Sequence, residues 1–488
     1  MSQIKKHITK KDLVTFLAAC LFLIISMFLP PNLTIIITSI FFVAFAYIKP
    51  FQSLLFLVPY VSIRPILLEI NPGLKLAGDI ITFAVFAKLL VSSKLNLKSL
   101  LTFKWFEWLF FAFLFFGSII GLLNDVSIAS VIFQLRTFLI MYMLYYILSR
   151  TILPASWLER LAWVTLLTSW LVSIHGLVEK LSMRQWLLPD VWKYKTLSAT
   201  NIVRIYGLPG NPNSLALLLM FGIVAVLFLS YLYKDKSYKV FLNVSLVMFI
   251  GIFILTYSRG TFISAAVLGA VFIFLAKDWK LIKRLVIAGI ASIILVYYPV
   301  NLGVSLFQSF GLQSPERGPT GSIGGRFEET FNEDNLALMT QSGRIFYLKK
   351  GFEVFSDYPL TGSGFGTFGG AATLSYGSPI YDNYGIRSDI YGGKNFYSDN
   401  QYIQVIAETG VIGVLLFAGF LVGMLLLFWK ERHTTFGKFM IALWFSTGFS
   451  GFYYNIWELK AYTIFFFIIL GSFAAMNKWY PTIHFKDK

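Results

Sequence analysis

Charged residues are scarce in this sequence. They make up 13% of its 488 residues, whereas soluble domains average about 25%. Hydrophobic residues make up 57%, and apolar stretches of about 18–20 residues, long enough to cross a bilayer as helices, recur along the chain. The alternating pattern of a membrane β-barrel is missing. The composition therefore excludes a soluble globular protein and predicts an all-α, polytopic membrane helical bundle.

Cysteines and metal-binding motifs are also nearly absent. Cys20 is the only cysteine, so no internal disulfide can form in any compartment. Residues 17–20 are similar to a lipoprotein cleavage site, but the apolar run continues well past them, which favours a first transmembrane helix. The four histidines are scattered, and no HExxH, CxxC or P-loop pattern occurs. We therefore expect no metal site, no cofactor and no ATP hydrolysis.

The net charge of +17 has a topological explanation. Lys and Arg fall mostly at the two termini and in alternate short connections, near 94–104, 234–239, 277–284 and 430–438. Connections on the opposite side, such as 30–32, contain neither residue. Because positive charge marks the cytoplasmic side, this pattern predicts a multi-pass protein of the cytoplasmic membrane with both termini in the cytoplasm. The bilayer is the expected partner of this charge, and nucleic acid is not.

About fourteen apolar stretches are long enough to be read as membrane spans. They lie near 13–29, 33–48, 51–68, 76–91, 105–123, 128–149, 157–178, 213–232, 240–257, 260–276, 284–300, 409–429, 437–454 and 460–477. Eleven spans form a predicted transmembrane bundle over residues 1–300. An amphipathic helix and three further spans occupy 400–488. Between them, residues 301–399 form one large extracytoplasmic loop, whose Gly, Tyr and Phe content predicts that it folds against the bundle.

Ionisable residues inside spans are candidate sites, because burying charge in a bilayer is costly. With the orientation above, most of them gather in the outer half of the membrane: Arg64, Asp79, Arg136, His175, Arg204 and Arg259. A guanidinium fork suits phosphate oxygens, so an outer-leaflet pyrophosphate is the expected ligand. The alternative is that Arg64 pairs with Asp79 while the other arginines anchor at lipid headgroups.

Residues 204–214 lead directly into a predicted span. A Pro-Gly turn precedes the helix, and Asn213 or Ser214 is expected to cap it. Capping does not account for Arg204, which has no acidic neighbour in the segment. Arg204 is therefore a candidate binding residue.

Arg344 begins a predicted helix that is followed by a glycine-rich turn. Gly364, Gly366 and Gly369 fit the spacing GxGxxG, but no buried strand precedes them and the loop is predicted to lie outside the cytoplasm. A dinucleotide site is therefore rejected.

The amphipathic helix near residue 400 has two candidate caps, Ser398 and Asp399. For Asp399, a cap and a functional role are equally open at this point. Glu408, at the end of that helix, is expected at the membrane interface.

Together these segments resemble the O-antigen ligase/polymerase superfamily of bacterial membrane glycosyltransferases. The matching positions, in chain order, are Arg204-x-x-Gly207 with Asn211-Pro212-Asn213, Ser258-Arg259-Gly260, Arg344, Pro359-Leu360-x-Gly362-x-Gly364, and Asn400-x-Tyr402 with Glu408-x-Gly410-x-x-Gly413. The resemblance covers roughly the second half of the chain. The first half matches only in hydropathy, with Arg136 as one further candidate.

The resemblance implies metal-independent, inverting transfer of sugar from an undecaprenyl-diphosphate-linked donor on the extracytoplasmic face. Arg204 and Arg259 would hold the diphosphate, with Arg136 and Arg344 as further candidates. Arg259 is also a catalytic candidate, because it would stabilise charge as the diphosphate departs. The implied partners are the lipid-linked donor and acceptor glycans and other assembly proteins, namely a flippase and a chain-length regulator.

One position departs from the family's pattern. Ligases of the family carry a histidine just before the Asn-x-Tyr helix, proposed to activate the acceptor hydroxyl, and this chain has Asp399 there. An ionised carboxylate can act as a general base, so Asp399 is a predicted catalytic residue. The change favours a polymerase. Frequent Lys, Ile, Phe and Asn suggest a Gram-positive source, and hence a teichuronic acid or capsule polymer.

Two alternatives stay open besides the polymerase. A ligase of the same fold would transfer a finished glycan to another acceptor. A lipid-linked glycan flippase would carry out no chemistry, and it would need charges through the full depth of a cavity. Because the predicted buried charges cluster on the outer side, the sequence favours an enzyme.

Overall fold

The computed structural model describes residues 10–92, 100–195, 197, 199–310, 343–386 and 395–479. All regular elements in these ranges are helices, which confirms the predicted all-α class. The predicted large loop is described in part, since its segments 311–342 and 387–394 lie outside the described residues.

The helices are labelled α1 to α18 in chain order. Their bounds are α1 Lys10–Ser26, α2 Pro31–Ile48, α3 Pro50–Ile70, α4 Ala77–Ser92, α5 Trp105–Leu123, α6 Ile128–Ser149, α7 Trp157–Leu181, α8 Asp190–Lys193, α9 Ala199–Ile202, α10 Pro212–Leu232, α11 Lys236–Leu255, α12 Arg259–Ala276, α13 Trp279–Ser309, α14 Arg344–Asp357, α15 Ala371–Tyr376, α16 Gln401–Lys430, α17 Thr435–Ser450 and α18 Lys460–Trp479. A 3-10 turn, Pro72–Leu76, joins α3 to α4.

Eleven helices of the described chain are long and apolar enough to cross a membrane. Each of the fourteen predicted spans has a helical counterpart, but the described residues of α1, α4 and α17 number only 17, 16 and 16. At 1.5 Å per residue these described lengths are roughly 24–26 Å, which is less than the hydrocarbon thickness of a typical bilayer. The polytopic membrane bundle is confirmed, whereas the count of fourteen is not.

Most helix ends differ from the predicted spans by a few residues, and two of the differences change the predicted organisation. Helix α13 continues to Ser309, so the predicted end of the bundle at residue 300 falls within it. Helix α17 ends at Ser450 and not at residue 454, because Gly451 begins a turned connection to α18. This segment, residues 451–459, is called the 451–459 connection below.

The centre of the bundle forms where α6 packs along α18 and α5 packs along α16. Gly471 of α18 lies against α6 so closely that a Cβ there would be 2.7 Å from the Leu148 Cβ. Close backbone approach at small residues is how helices pack in a membrane, where lipid is as apolar as the core. The long helices therefore form a fixed frame for the segments at their ends.

Residues 343–386 pack against one end of this frame, called the loop end below. The Phe365 amide donates to the Gly117 carbonyl of α5 at 2.8 Å, and Asn124 Nδ2 donates to the Ser363 carbonyl at 2.8 Å. The Phe365 ring is buried beside Phe113 and Phe138. The described part of the predicted loop is thus folded against the bundle, as its composition predicted.

Gly364→Ala is expected to destabilise this junction strongly. Gly364 has a φ of +93°, and an added Cβ would lie 2.1 Å from the Gly121 amide nitrogen. The left-handed backbone and the steric overlap each cost about 1–3 kcal/mol, so thermal unfolding in detergent should shift clearly downward. Gly385→Ala is the matched control: its φ is +61°, but no described heavy atom lies within 4 Å. Equal shifts in the two variants would contradict the close contact.

Candidate functional site

Arg204, between α9 and α10, is held by three oxygen acceptors. Its Nε donates to the Thr256 carbonyl at 2.9 Å, its Nη1 to Asn201 Oδ1 at 3.3 Å, and its Nη2 to Asn213 Oδ1 at 2.7 Å. These three acceptors are neutral, and their bonds fix the plane of the guanidinium. The result is an oriented cation at the loop end, of the kind that binds phosphate oxygens.

The cap of the next helix differs from the prediction. The N-cap of α10 is Asn211, whose Oδ1 accepts from the amides of Asn213 at 2.8 Å and Ser214 at 3.4 Å. The expectation that Asn213 or Ser214 caps this helix is wrong, because the extended backbone that a cap requires occurs at Asn211. Asn213 instead connects Arg204 to Ser258, whose Oγ donates to the same Oδ1 at 2.8 Å.

Three hydroxyl groups meet beside Asn213. Ser258 Oγ lies 2.9 Å from Thr261 Oγ1 and 3.0 Å from the Tyr454 hydroxyl, and Thr261 Oγ1 lies 2.9 Å from that hydroxyl. All three are buried. The preceding residue, Tyr257, has a φ of +50°, a strained value for a residue with a Cβ. Such strain persists where the surrounding structure enforces it, so the turn between α11 and α12 has a fixed geometry.

Arg259 begins α12 directly after this turn, as predicted. It is half-buried, and its two neighbours in sequence both contact Tyr454. Ser258 does so through its hydroxyl, and Gly260 through close approach, since a Cβ there would lie 3.0 Å from the Tyr454 hydroxyl. Because Ser258 also bonds to Asn213, the backbone that carries Arg259 is tied to the residues that orient Arg204.

Arg344, which lies beside Asp399, contacts Tyr453, the residue before Tyr454. Arg344, the first residue of α14, donates from Nη2 to the Tyr453 carbonyl at 3.3 Å. The same Nη2 lies 3.7 Å from Asp399 Oδ2, and the side chains of Arg344 and Asp399 are 41% and 35% exposed. An ion pair of this length and exposure is weak, so both groups are accessible to a ligand.

The backbone around Asp399 is fixed on both sides by Asn455. Asn455 Oδ1 accepts from the Asn400 amide at 3.0 Å and from Ser398 Oγ at 3.1 Å. Asp399 itself has a φ of +49°, again a strained value for a residue with a Cβ. Burial raises the pKa of the Asp399 carboxyl, and the Arg344 guanidinium opposes that rise.

The cap of α16 is Asn400, whose Oδ1 accepts from the amides of Tyr402 at 3.0 Å and Ile403 at 3.1 Å. The expectation that Ser398 or Asp399 caps this helix is therefore wrong. Asp399 has a left-handed backbone and not the extended one that a cap requires, and the Ser398 hydroxyl bonds to Asn455. The Asp399 carboxylate is thus not used to cap the helix.

Glu408 is fully buried, so the expectation that it lies at the membrane interface is wrong. Its Oε1 accepts from the amides of Gly366 at 2.9 Å, Thr367 at 3.1 Å and Phe368 at 3.1 Å. Gln404 Nε2 donates to the other oxygen at 3.1 Å. The glycine-rich segment, residues 362–370, therefore turns around a carboxylate of the protein itself, which accounts for its glycines without a nucleotide.

A second buried carboxylate, Glu458, joins three segments. It accepts from the side-chain amides of Gln134 in α6 and Gln404 in α16, and from the Ala371 amide at 2.7 Å. Burial raises the pKa of Glu458 to about 7, against the effect of these hydrogen bonds. Glu458 is therefore partly protonated near neutral pH, which weakens its repulsion with Glu408 across the shared Gln404. This network holds the 451–459 connection against the loop.

Arg136 lies in a different group of residues. Its Nε donates to Asp79 Oδ2 at 2.8 Å, and its Nη2 donates to the same oxygen. The alternative that Arg64 pairs with Asp79 is wrong, since Arg64 instead donates to the Lys75 carbonyl at 3.4 Å. The role of Arg136 as a diphosphate ligand stays a prediction.

Four of the five predicted site residues thus meet around the 451–459 connection. Arg204 is linked to Tyr454 through Asn213 and Ser258, and Arg259 directly follows Ser258 in the chain. Arg344 bonds to the Tyr453 carbonyl and lies beside Asp399. Tyr453, Tyr454 and Asn455 were not predicted as site residues, because the predicted span included the two tyrosines and ended directly before Asn455. The signal was the sequence Gly451 to Glu458, where polar residues interrupt the apolar run.

The arrangement combines oriented cations with a carboxylate that has a raised pKa. Guanidinium groups can bind a polyanion and stabilise negative charge that develops on it. The carboxylate can accept a proton from a hydroxyl group. Within the described residues, no three His, Cys, Asp or Glu side chains lie close enough together to hold a metal ion.

Comparison with known proteins gives one family. Residues 244–418 match the model of the O-antigen ligase family, and no curated protein matches the chain. The matched segment covers a little over a third of the chain and contains Arg259, Arg344 and Asp399, whereas Arg136 and Arg204 precede it. The structure therefore shows a multi-pass membrane bundle, and its residues 244–418 are similar to the O-antigen ligase family.

Proposed function

We propose that the protein is a metal-independent, inverting glycosyltransferase that polymerises undecaprenyl-diphosphate-linked repeat units on the extracytoplasmic face of the cytoplasmic membrane. The observation that carries the proposal is the convergence of Arg204, Arg259, Arg344 and Asp399 around Tyr453 and Tyr454. This cluster contains both groups that sugar transfer from a lipid diphosphate needs: cations for the leaving group and a base for the acceptor.

The arginines would bind the diphosphate of the donor. Arg204 is oriented by three neutral acceptors, and Arg259 sits at the N-terminus of α12, where the partial charge of the helix adds to its own. Both guanidinium groups are positively charged, as a ligand of a diphosphate must be. Stabilisation of the charge that grows on the leaving oxygen would be the main contribution to the rate.

Asp399 would be the general base. A hydroxyl of the acceptor sugar attacks the anomeric carbon of the donor, and its proton passes to the Asp399 carboxylate. The bond between that carbon and the diphosphate oxygen breaks, and its electron pair leaves with the diphosphate. A single displacement from the face opposite the leaving group inverts the anomeric configuration.

Polymerisation is favoured over ligation by the carboxylate at position 399, where ligases resembling this chain carry a histidine. The product would be a cell-surface or cell-wall polysaccharide of the teichuronic acid, capsule or O-antigen type. A flippase would deliver the repeat units to the outer face, and a chain-length regulator would limit the product.

The test is reconstitution of the full chain in nanodiscs with lipid-diphosphate-linked repeat units from the same cells. We expect a ladder of products that differ by one repeat unit on a gel. Ligation is the second candidate, favoured by the matched family's description. Transfer of preformed chains to a different acceptor, without a ladder, would identify a ligase and overturn polymerisation.

Gene deletion separates both enzymes from a flippase. Loss of a polymerase leaves single lipid-linked units on the outer face, and loss of a ligase leaves full-length chains on the carrier lipid. Single units trapped on the inner face would contradict an enzymatic role.

A further inference from the structure

A second group of cations surrounds a cavity between α3, α4, α6 and α18. The charged side chains that line it are Arg64, Lys75, Asp79 and Lys460. These residues lie near the ends of α3 and α18 and at the start of α4, which places them at the loop end. The cluster shares no residue with the one around Tyr453 and Tyr454.

Positive charge in this cavity exceeds negative charge. The single carboxylate of the lining, Asp79, already accepts two hydrogen bonds from Arg136. Arg64 donates to a neutral carbonyl of Lys75, and the half-buried Lys460 ammonium forms no hydrogen bond with any described residue. One carboxylate therefore stands among four cations. Because half-buried ammonium groups are usually paired, this surplus points to an anionic ligand.

Most of the remaining wall of the cavity is apolar. It is formed by Leu57, Val61, Met141, Leu144 and Ile464, with Tyr60, Gly78 and Thr82 completing the lining. Leu57 precedes Arg64 by seven residues of α3, so the apolar wall extends about 10 Å from the cations along that helix. Lys75 is exposed and Arg136 is 32% exposed, so the charged rim reaches the surface. The enclosed volume is only about 10 Å³, so a phosphate group would lie at the charged rim and not inside the cavity. A cationic rim beside an apolar wall matches an amphiphile better than a free anion.

We propose that this cavity binds the phosphate headgroup of a membrane lipid, at a site separate from the one that would hold the donor. Arg64, Lys75 and Lys460 contact the phosphate oxygens, and Arg136 keeps Asp79 from competing with them. The lipid is either a polyprenyl phosphate or an anionic phospholipid, since both present a phosphate ester on an apolar chain. The proposal does not depend on sugar transfer, because it concerns binding alone.

Native mass spectrometry of the full chain in detergent tests this site, in an Arg204→Gln background that weakens the proposed donor site. The probes are undecaprenyl phosphate, phosphatidylglycerol and inorganic phosphate. We expect Lys460→Gln and Arg64→Gln each to weaken binding of at least one lipid probe about tenfold, because each removes a charge-assisted contact. Lys430→Gln, an exposed lysine at the opposite end of the bundle, is the matched control and should bind as the parent does.

The probes identify the source of the headgroup. A loss confined to undecaprenyl phosphate indicates the carrier lipid, and a loss confined to phosphatidylglycerol indicates a structural phospholipid. Lys460→Arg keeps the positive charge and should bind the lipid probes as the parent does. This result would show that the loss in Lys460→Gln comes from the missing charge and not from misfolding. The proposal fails if no lipid probe loses affinity in Lys460→Gln and Arg64→Gln, or if only inorganic phosphate does.

Discussion

Replacement of Arg204 by alanine is expected to lower the initial rate of sugar transfer by about 10²–10³-fold, the loss typical when one preorganised donor to a developing oxyanion is removed. Thr256, Asn201 and Asn213 hold the side chain in one plane. The guanidinium therefore does not need to reorient when negative charge develops on the diphosphate. The measurement is the rate at which the product ladder grows in nanodiscs at saturating donor.

Arg204→Lys and Arg432→Ala are the two companions of this variant. Lysine retains the charge but cannot reproduce three directed bonds, so its rate should fall between wild type and Arg204→Ala. Arg432 is exposed at the opposite end of the bundle, and its removal should leave the rate unchanged. A rate in Arg204→Ala within a few-fold of wild type, from protein with wild-type thermal unfolding, would remove Arg204 from the diphosphate site.

The positions of the bundle helices could be predicted from the sequence, most of their ends to within a few residues. Helices α5 and α6 have the predicted bounds, because a bilayer requires each backbone group to be satisfied within its own helix. An apolar run in such a chain therefore becomes a helix. The count of spans could not be fixed in the same way, since α17 is shorter than the hydrocarbon region and hydropathy does not give its depth.

The arginines of the candidate site could be identified from the sequence, whereas the residues that cap its helices could not. Arginines near the ends of apolar runs are conspicuous, and Arg204, Arg259 and Arg344 all lie at the loop end. By contrast, Ser398, Asp399 and Asn400 all have side chains that can cap a helix, and the choice depends on the backbone. Only Asn400 has the extended φ and ψ that a cap needs.

Contacts between distant segments account for the other errors. Glu408 bonds to amides about forty residues earlier in the chain, and Gln134 bonds to Glu458 across more than three hundred residues. A single sequence carries no sign of which distant groups will meet. The candidate site depends on such contacts, because the connection after α17 places Tyr454 against Ser258, the neighbour of Arg259, and Tyr453 against Arg344.

Asp399→Asn is expected to reduce transfer about 10²–10⁴-fold, the range for loss of a general base. Asparagine keeps the shape of the side chain and removes its ability to accept a proton. The effect should be confined to the rate, because the carboxylate caps no helix and its pair with Arg344 is long and exposed. Donor binding by native mass spectrometry and thermal unfolding should therefore stay close to wild type. Asp357→Asn, on the same side of the bundle, is the matched control for the loss of one acidic charge.

The pH profile separates a base from a purely structural carboxylate. A base works only when ionised, so the wild-type rate should fall as pH decreases through the pKa of Asp399. Burial raises that pKa above its ordinary value, which moves the acid limb toward neutral pH. Arg344→Gln removes the guanidinium that opposes this rise, so its acid limb should move to still higher pH. The residual rate of Asp399→Asn should lack this limb, because the titrating group is gone. An unchanged acid limb in Asp399→Asn would assign the limb to another group and exclude Asp399 as the base.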